Sequence, residues 1–168
     1  MFQRILLVLS CLVLFVLGVD LKEGLAMKIS SPVFENNTLM PEKFSCLGEG
    51  VNPELTIKDI PEGTASLALI VDDPDALFKT YVHWVLYDIP LITRIEENST
   101  PGTQGVNTSG GVDYVTPCPP SGTHRYFFKV YALDKMVGLD GLSKQDLENE
   151  MQGHILDKAE LVGLYKKR

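Results

Sequence analysis

The chain has no basic excess. Its 15 lysines and arginines face 22 aspartates and glutamates, for a net charge of −7 over 168 residues. Neutralising nucleic-acid phosphates needs a basic surface, so non-specific nucleic-acid binding is disfavoured and no nucleic-acid partner is expected. The basic end Lys166-Lys167-Arg168 is short and reads as a solvated terminus. After residue 27 there is no internal repeat, no low-complexity run and no linker, so the remainder reads as one domain with a sizeable core. No glycine-rich loop opens a helix, which argues against a nucleotide-hydrolysing phosphate cradle. No histidines, cysteines or carboxylates stand at close metal-ligand spacing. Asp73, His83 and His124 come nearest, as a two-histidine, one-carboxylate set, and neither a metal nor another cofactor is expected.

The one long apolar run is N-terminal. Met1-Phe2-Gln3-Arg4 carries a single positive charge, and Ile5–Val19 is almost continuously apolar. The run is shorter than the roughly 20 residues of a spanning helix and has the proportions of a signal-peptide core. Gly24 and Ala26 suit cleavage after Ala26. Residues 1–26 are therefore read as a signal peptide or N-terminal anchor, and residues 27–168 as the domain. The protein would then be exported: periplasmic, extracellular or membrane-anchored. Met27 opens a plausible second start, MKISSPVF, and a chain beginning there would be cytoplasmic. Cys11 lies in the middle of the apolar run rather than at its end, which argues against lipidation.

Removing residues 1–26 leaves Cys46 and Cys118. In an exported protein these pair as a disulfide or remain two buried thiols, and composition does not choose between them. Asn36, Asn98 and Asn107 each open a glycosylation triplet, which matters only in a eukaryotic secretory pathway.

From Met27 onward the chain is a series of short apolar segments punctuated by proline and glycine. Met27–Ser31 alternates and meets Pro32, as an edge strand does. Phe44-Ser45-Cys46 and Leu55-Thr56-Ile57 read as further short strands. Ser66–Val71 is apolar throughout, like a strand buried on both faces, and Val82–Ile89 is its expected partner. Between them Asp72, Asp73, Pro74 and Asp75 read as a loop. Thr93–Gly111 is a long polar stretch of the kind that is often functional. Tyr126–Leu133 alternates and reads as a central strand. Ser143 with Asp146 makes a capping box, Leu142, Leu147 and Met151 an apolar stripe, and Gly153 a stop. Ile155–Leu164 reads as a short helix or turn and then a strand. Many short strands with helix only near the end indicate a mainly β sandwich.

Two clusters carry chemistry: Asp73, Asp75 and His83 in one, Pro120, His124 and Tyr126 in the other. A neutral imidazole can donate or accept, and a protonated one donates from both nitrogens, so two histidines in one cleft suit an anion. Asp73 would fix a tautomer and favour the charged form. Tyr126 would add a donor, and Pro119-Pro120 would stiffen the wall. Gly122 would let the backbone approach a ligand. On residue types alone, His83 beside Trp84 also suits a structural histidine, His124-Arg125 a surface pair, and the aspartates turn caps.

The combination Asp73-Pro74-Asp75-Ala76, His83-Trp84, Pro119-Pro120 with Gly122, and His124-Arg125-Tyr126 resembles the phosphatidylethanolamine-binding proteins, also called Raf kinase inhibitor proteins. Pro117-Cys118-Pro119-Pro120, Tyr131-Ala132-Leu133-Asp134 and Ala159–Gly163 are similar to the bacterial and archaeal branch. The resemblance runs in order over about residues 27–165. It implies an antiparallel β-sandwich, a large sheet on a smaller one with a few peripheral helices. It also implies a pocket for phosphate-like or acetate-like anions, including phospholipid head groups. By motif the pocket residues are Asp73, His83, Pro120, His124 and Tyr126, with Asp75 in support. Leu77 stands where the family usually has proline, and Phe78–Val82 lacks the glycine and tryptophan of many bacterial members, so the pocket rim departs from the pattern.

The resulting expectation is a non-catalytic, regulatory binding protein whose partner is a small anion such as phosphate or a phospholipid head group. The alternative is an inhibitor that docks on a kinase or serine protease, and a homodimer is left open. An enzyme is not expected: Cys118 with His124 and Asp73 mimics a nucleophile set, but a cysteine between prolines and open to disulfide formation is a poor nucleophile.

Overall fold

The computed structural model describes residues 25–167. The Ile5–Val19 run, with the signal or anchor reading, falls outside the described residues. In chain order the strands are β1 (Lys28–Ser30), β2 (Thr38–Leu39), β3 (Leu55–Lys58), β4 (Ser66–Asp73), β5 (Tyr81–Ile89), β6 (Arg94–Ile95), β7 (Thr103–Gln104), β8 (Thr123–Leu133) and β9 (Ile155–Lys166). One α-helix stands among the described residues, α1 (Lys144–Glu150). A three-stranded sheet, β1-β3-β6, packs on a six-stranded one, β2-β9-β8-β4-β5-β7. Every pairing between these strands is antiparallel except the two-residue β2–β9 contact, which is parallel.

The centre of the large sheet explains its sequence. All eight residues of β4 are buried, because the strand has a neighbour on both faces. Leu67, Leu69 and Val71 point at the small sheet and share a core with Trp84, Leu86, Phe128, Leu55 and Ile57. Ala68 and Ile70 point the other way, onto Val85, Tyr87, Leu147 and Met151. Helix α1 covers this second face. Ser143 accepts from the Asp146 N–H and Asp146 from the Ser143 N–H, so the capping box is closed. Leu147 and Met151 supply its buried stripe, with Leu142 packed beside them.

Several local expectations are corrected. Phe44-Ser45-Cys46 is not a strand: Glu42–Phe44 is a 3₁₀ turn, with Phe44 and Ser45 donating to the carbonyls three residues back. Phe44 and Ser45 are both buried, and two adjacent buried residues fit a turn as well as a strand. Ile155–Lys166 is strand from its first residue, without the opening helix or turn expected there. Asp72 is not in a loop but on β4, on the face covered by α1, where Lys129 Nζ sits 2.8 Å and Lys144 Nζ 2.8 Å from its carboxylate. The two ammonium groups are what let a carboxylate be buried in an apolar strand.

Candidate functional site

The site forms where β4, β5 and β8 end together. His124 and Tyr126 lie on the face of β8 that carries Phe128 and Val130, and so project from the edge of the main core. Asp73 closes β4 beside them.

His83 reaches the same place by an irregularity. Val71 pairs with Trp84 and Asp72 with Val82, so β5 advances two residues where β4 advances one. His83 is the extra residue of a β-bulge, which re-aims a side chain locally. Strict alternation would have put His83 with Val85 and Tyr87, under α1. The bulge places it among the site residues instead, with its ring 5.1 Å from that of Tyr126 and 4.8 Å from that of Tyr81.

Both imidazoles are held by Nδ1. His124 Nδ1 lies 2.7 Å from Asp73 Oδ2. The other oxygen of Asp73 accepts from the Asp75 N–H at 2.8 Å, so the carboxylate is fixed at both ends. His83 Nδ1 donates to the Val115 carbonyl at 2.6 Å, while the Val115 N–H donates to the His83 carbonyl at 2.9 Å. A carbonyl only accepts, so Nδ1 of His83 carries a hydrogen and Nε2 is left for other partners. Burial pushes the His83 imidazole below its usual range, against the pull of the Val115 carbonyl. Near pH 7 its Nε2 is therefore a lone-pair acceptor. Burial, reinforced by the nearby Asp73 charge, raises the Tyr126 phenol far above its ordinary value, so its hydroxyl stays a donor.

A cavity of about 480 Å³ opens over these groups, lined by Asp73, His83, Pro120, His124 and Tyr126 among others. Asp75 is not among the lining residues. It accepts from the Arg125 N–H at 3.0 Å, Nε at 2.9 Å and Nη2 at 2.7 Å, and this guanidinium holds its carboxyl below the usual carboxylate range. Asp75 thus ties the β4 end to β8 and, through its own N–H, orients Asp73. Gly122 also acts differently from expectation. It is not among the lining residues, and its φ of +71° serves a left-handed turn into β8.

Cys46 and Cys118 are joined by a disulfide, with Cα atoms 5.5 Å apart. Cys118 and the two prolines after it line the cavity, so the bond ties that wall to the 3₁₀ turn. Val115, Tyr81 and Thr108 join the site without having been expected from the sequence. The Thr108 Oγ1 accepts from the Val82 N–H at 2.8 Å, so the long segment between β7 and β8 runs along β5 and supplies a second wall. Its length and polarity were the available signal. Asn107 is buried there, with its side chain engaged by Ser109, Gly111 and Asp113, and is no glycosylation acceptor in this fold.

A sequence model described as phosphatidylethanolamine-binding protein matches residues 30–166. The chain belongs to the phosphatidylethanolamine-binding protein family. It is 43% identical over 150 residues to a UPF0098 protein of Methanothermobacter thermautotrophicus, covering 84% of this chain and 99% of that one. A UPF0098 protein of Aquifex aeolicus is 44% identical over 155 residues, with 86% and 91% covered. Among solved structures, the Chlamydia trachomatis protein CT736, described as a homologue of the family, superposes with a TM-score of 0.83 at 38% identity, covering 85% of this chain and 99% of that one. YbcL of E. coli, described as a new member of the mammalian family, gives 0.78 at 26% identity over 86% and 100%. The mainly β two-sheet fold and the family thus agree with the resemblance read from the sequence.

Proposed function

We propose that this cavity binds a small phosphate-like or carboxylate anion, of the phospholipid head-group type, and performs no chemistry on it. One observation carries the reading. Two imidazoles have their Nδ1 atoms occupied by fixed partners, Asp73 and Val115, which leaves both Nε2 atoms and the Tyr126 hydroxyl for a ligand in the cavity they share. Tyr126 donates to an anionic oxygen. So does His124 when protonated, with its charge balanced by Asp73. His83 accepts from a protonated ligand oxygen, or takes up a proton and donates. The family name supports a head-group ligand.

The Cys46–Cys118 bond is of a kind that persists in oxidising compartments, which supports the reading of residues 1–26 as an export signal. Cell fractionation with N-terminal sequencing tests that part: an exported species beginning at Met27 is expected, and a species beginning at Met1, or one beginning at Met27 but found only in the cytoplasm, would contradict cleavage after Ala26. The binding claim is tested by titrating acetate and phosphate into the protein in a calorimeter, together with an assay for hydrolysis of a phosphodiester. Saturable binding without product is expected. Absence of saturable binding, or catalytic release of product, would contradict it.

A further inference from the structure

Met27 is the first buried residue of the described chain. Leu25 is 71% exposed and Ala26 is exposed, whereas Met27 is 4% exposed and packs in the main core with Ile29 and Ile57. Its backbone nitrogen lies 2.7 Å from Asp157 Oδ2, a contact between residues 130 apart in the chain. The contact joins the start of β1, at the edge of the small sheet, to β9 of the large one. Asp157 stands opposite Ala132, so it belongs to the core-facing side of β9 with Ala159 and Leu161. Its other oxygen accepts from the Lys158 N–H at 2.7 Å, which fixes the direction of the carboxylate.

This half-buried carboxylate has no cation. Among the described residues no lysine, arginine or histidine lies within ion-pair distance of it. Lys28, next to Met27, is engaged by Asp59 at 3.1 Å instead, and Lys158 extends from the opposite face of β9. A charge withdrawn from water needs a partner. A peptide N–H supplies one donor and no charge, whereas an ammonium supplies three donors and a full positive charge.

We propose that Asp157 is the seat of the mature amino terminus, binding the α-ammonium of a chain that begins at Met27. Hydrolysis of the Ala26–Met27 peptide bond by a leader-removing protease consumes one water and leaves a carboxylate on Ala26 and an ammonium on Met27. Processing then creates the charge that Asp157 lacks and closes a latch between the two sheets. The inference depends on the chain end at Met27 read above and is independent of the cavity.

The test uses the protein purified as the cell makes it, with its N-terminus sequenced. The pKa of the Met27 α-amine is measured by competitive acylation across the pH range of amine ionisation, read by mass spectrometry of the N-terminal peptide, in the native state and in urea. The charged side chains around this end are Lys28, Lys58 and Asp59 on the small-sheet side and Lys158 and Glu160 on β9; the readout is specific to the Met27 amine. A nearby carboxylate favours the ammonium, so the native value is expected above the value in urea, which should lie at the ordinary 7.7–8.0 or about there. The added stability is then complete below the unfolded value and is lost as pH rises through the folded one, with a tenfold change in the folding equilibrium constant for each unit between them. Acylating the α-amine should lower the urea midpoint of the wild-type protein and leave that of Asp157→Asn unchanged. An N-terminus at another residue, or a native α-amine pKa no higher than the urea value, overturns the proposal. So does an Asp157→Asn variant that keeps the raised value; should that variant fail to fold, the native-against-urea comparison on the wild-type protein still decides.

Discussion

Anion binding should be linked to a proton, and His83 sets the size of the link. With Nδ1 donating to Val115, a neutral His83 offers only a lone pair at Nε2. Burial keeps it neutral by depressing its pKa below the ordinary value near 6.5. An anion beside it favours the charged form and raises that pKa. Above the free-state pKa the complex therefore holds more protons than the free protein, so affinity rises as pH falls and levels off once free His83 is already protonated. When one proton is taken up, affinity falls about tenfold per pH unit, or about 1.4 kcal/mol. Acetate is the proper probe, because its own ionisation is complete well below this window. Calorimetry at pH 7.0, 7.5, 8.0 and 8.5 gives the slope, and repeating one pH in buffers of different ionisation enthalpy counts the protons directly. His83→Asn, whose amide can still donate to Val115, should lower the slope by the share of the proton that His83 takes up. Acetate affinity constant from pH 7 to 8.5, with no proton uptake, would refute the reasoning.

Three further outcomes are expected. Replacing both Cys46 and Cys118 by serine opens a 72-residue separation and should lower unfolding stability by about 2–4 kcal/mol in urea titrations, with weaker anion binding because the cavity wall is untied. Asp73→Asn removes the charged partner of His124 Nδ1, so acetate affinity should fall about tenfold by calorimetry, the scale of a lost charge-assisted hydrogen bond; a gain in affinity would mean that the carboxylate chiefly repels the anion. Asp72→Ala leaves Lys129 and Lys144 without their shared carboxylate on the α1 face and should cost about 1–3 kcal/mol of stability, less than a fully buried pair because both lysines are partly exposed; acetate affinity should fall only slightly, since Asp72 points away from the cavity and reaches His83 only through its charge.

The elements legible in the sequence are those whose signal is local. Ser66–Val71 is apolar because β4 is covered on both faces. The Ser143–Asp146 box marks where α1 begins, and Tyr126–Leu133 alternates because one face meets the core. The chemistry of the site was legible as residue types. Its assembly was not, because register belongs to a pair of strands. Nothing near His83 announces that β5 carries one residue more than β4 at that point, yet the bulge is what turns the imidazole from the helix face to the cavity. Asp72 and Asp73 look alike in sequence and end on opposite faces, one neutralised by two lysines, the other fixed by His124 and the Asp75 N–H. Val115, which sets the His83 tautomer, is 32 residues away along the chain, and a backbone carbonyl leaves no mark in a sequence.

The most direct test of the central claim is a ¹⁵N NMR spectrum of the histidine ring nitrogens during an acetate titration. Before addition, His83 should show a protonated Nδ1 and an unprotonated Nε2. With acetate, the Nε2 signals of both His83 and His124 should move together and saturably, while their Nδ1 signals, held by Val115 and Asp73, change little. Nε2 signals of both residues that stay fixed through a titration in which acetate demonstrably binds would place the anion elsewhere and contradict the account.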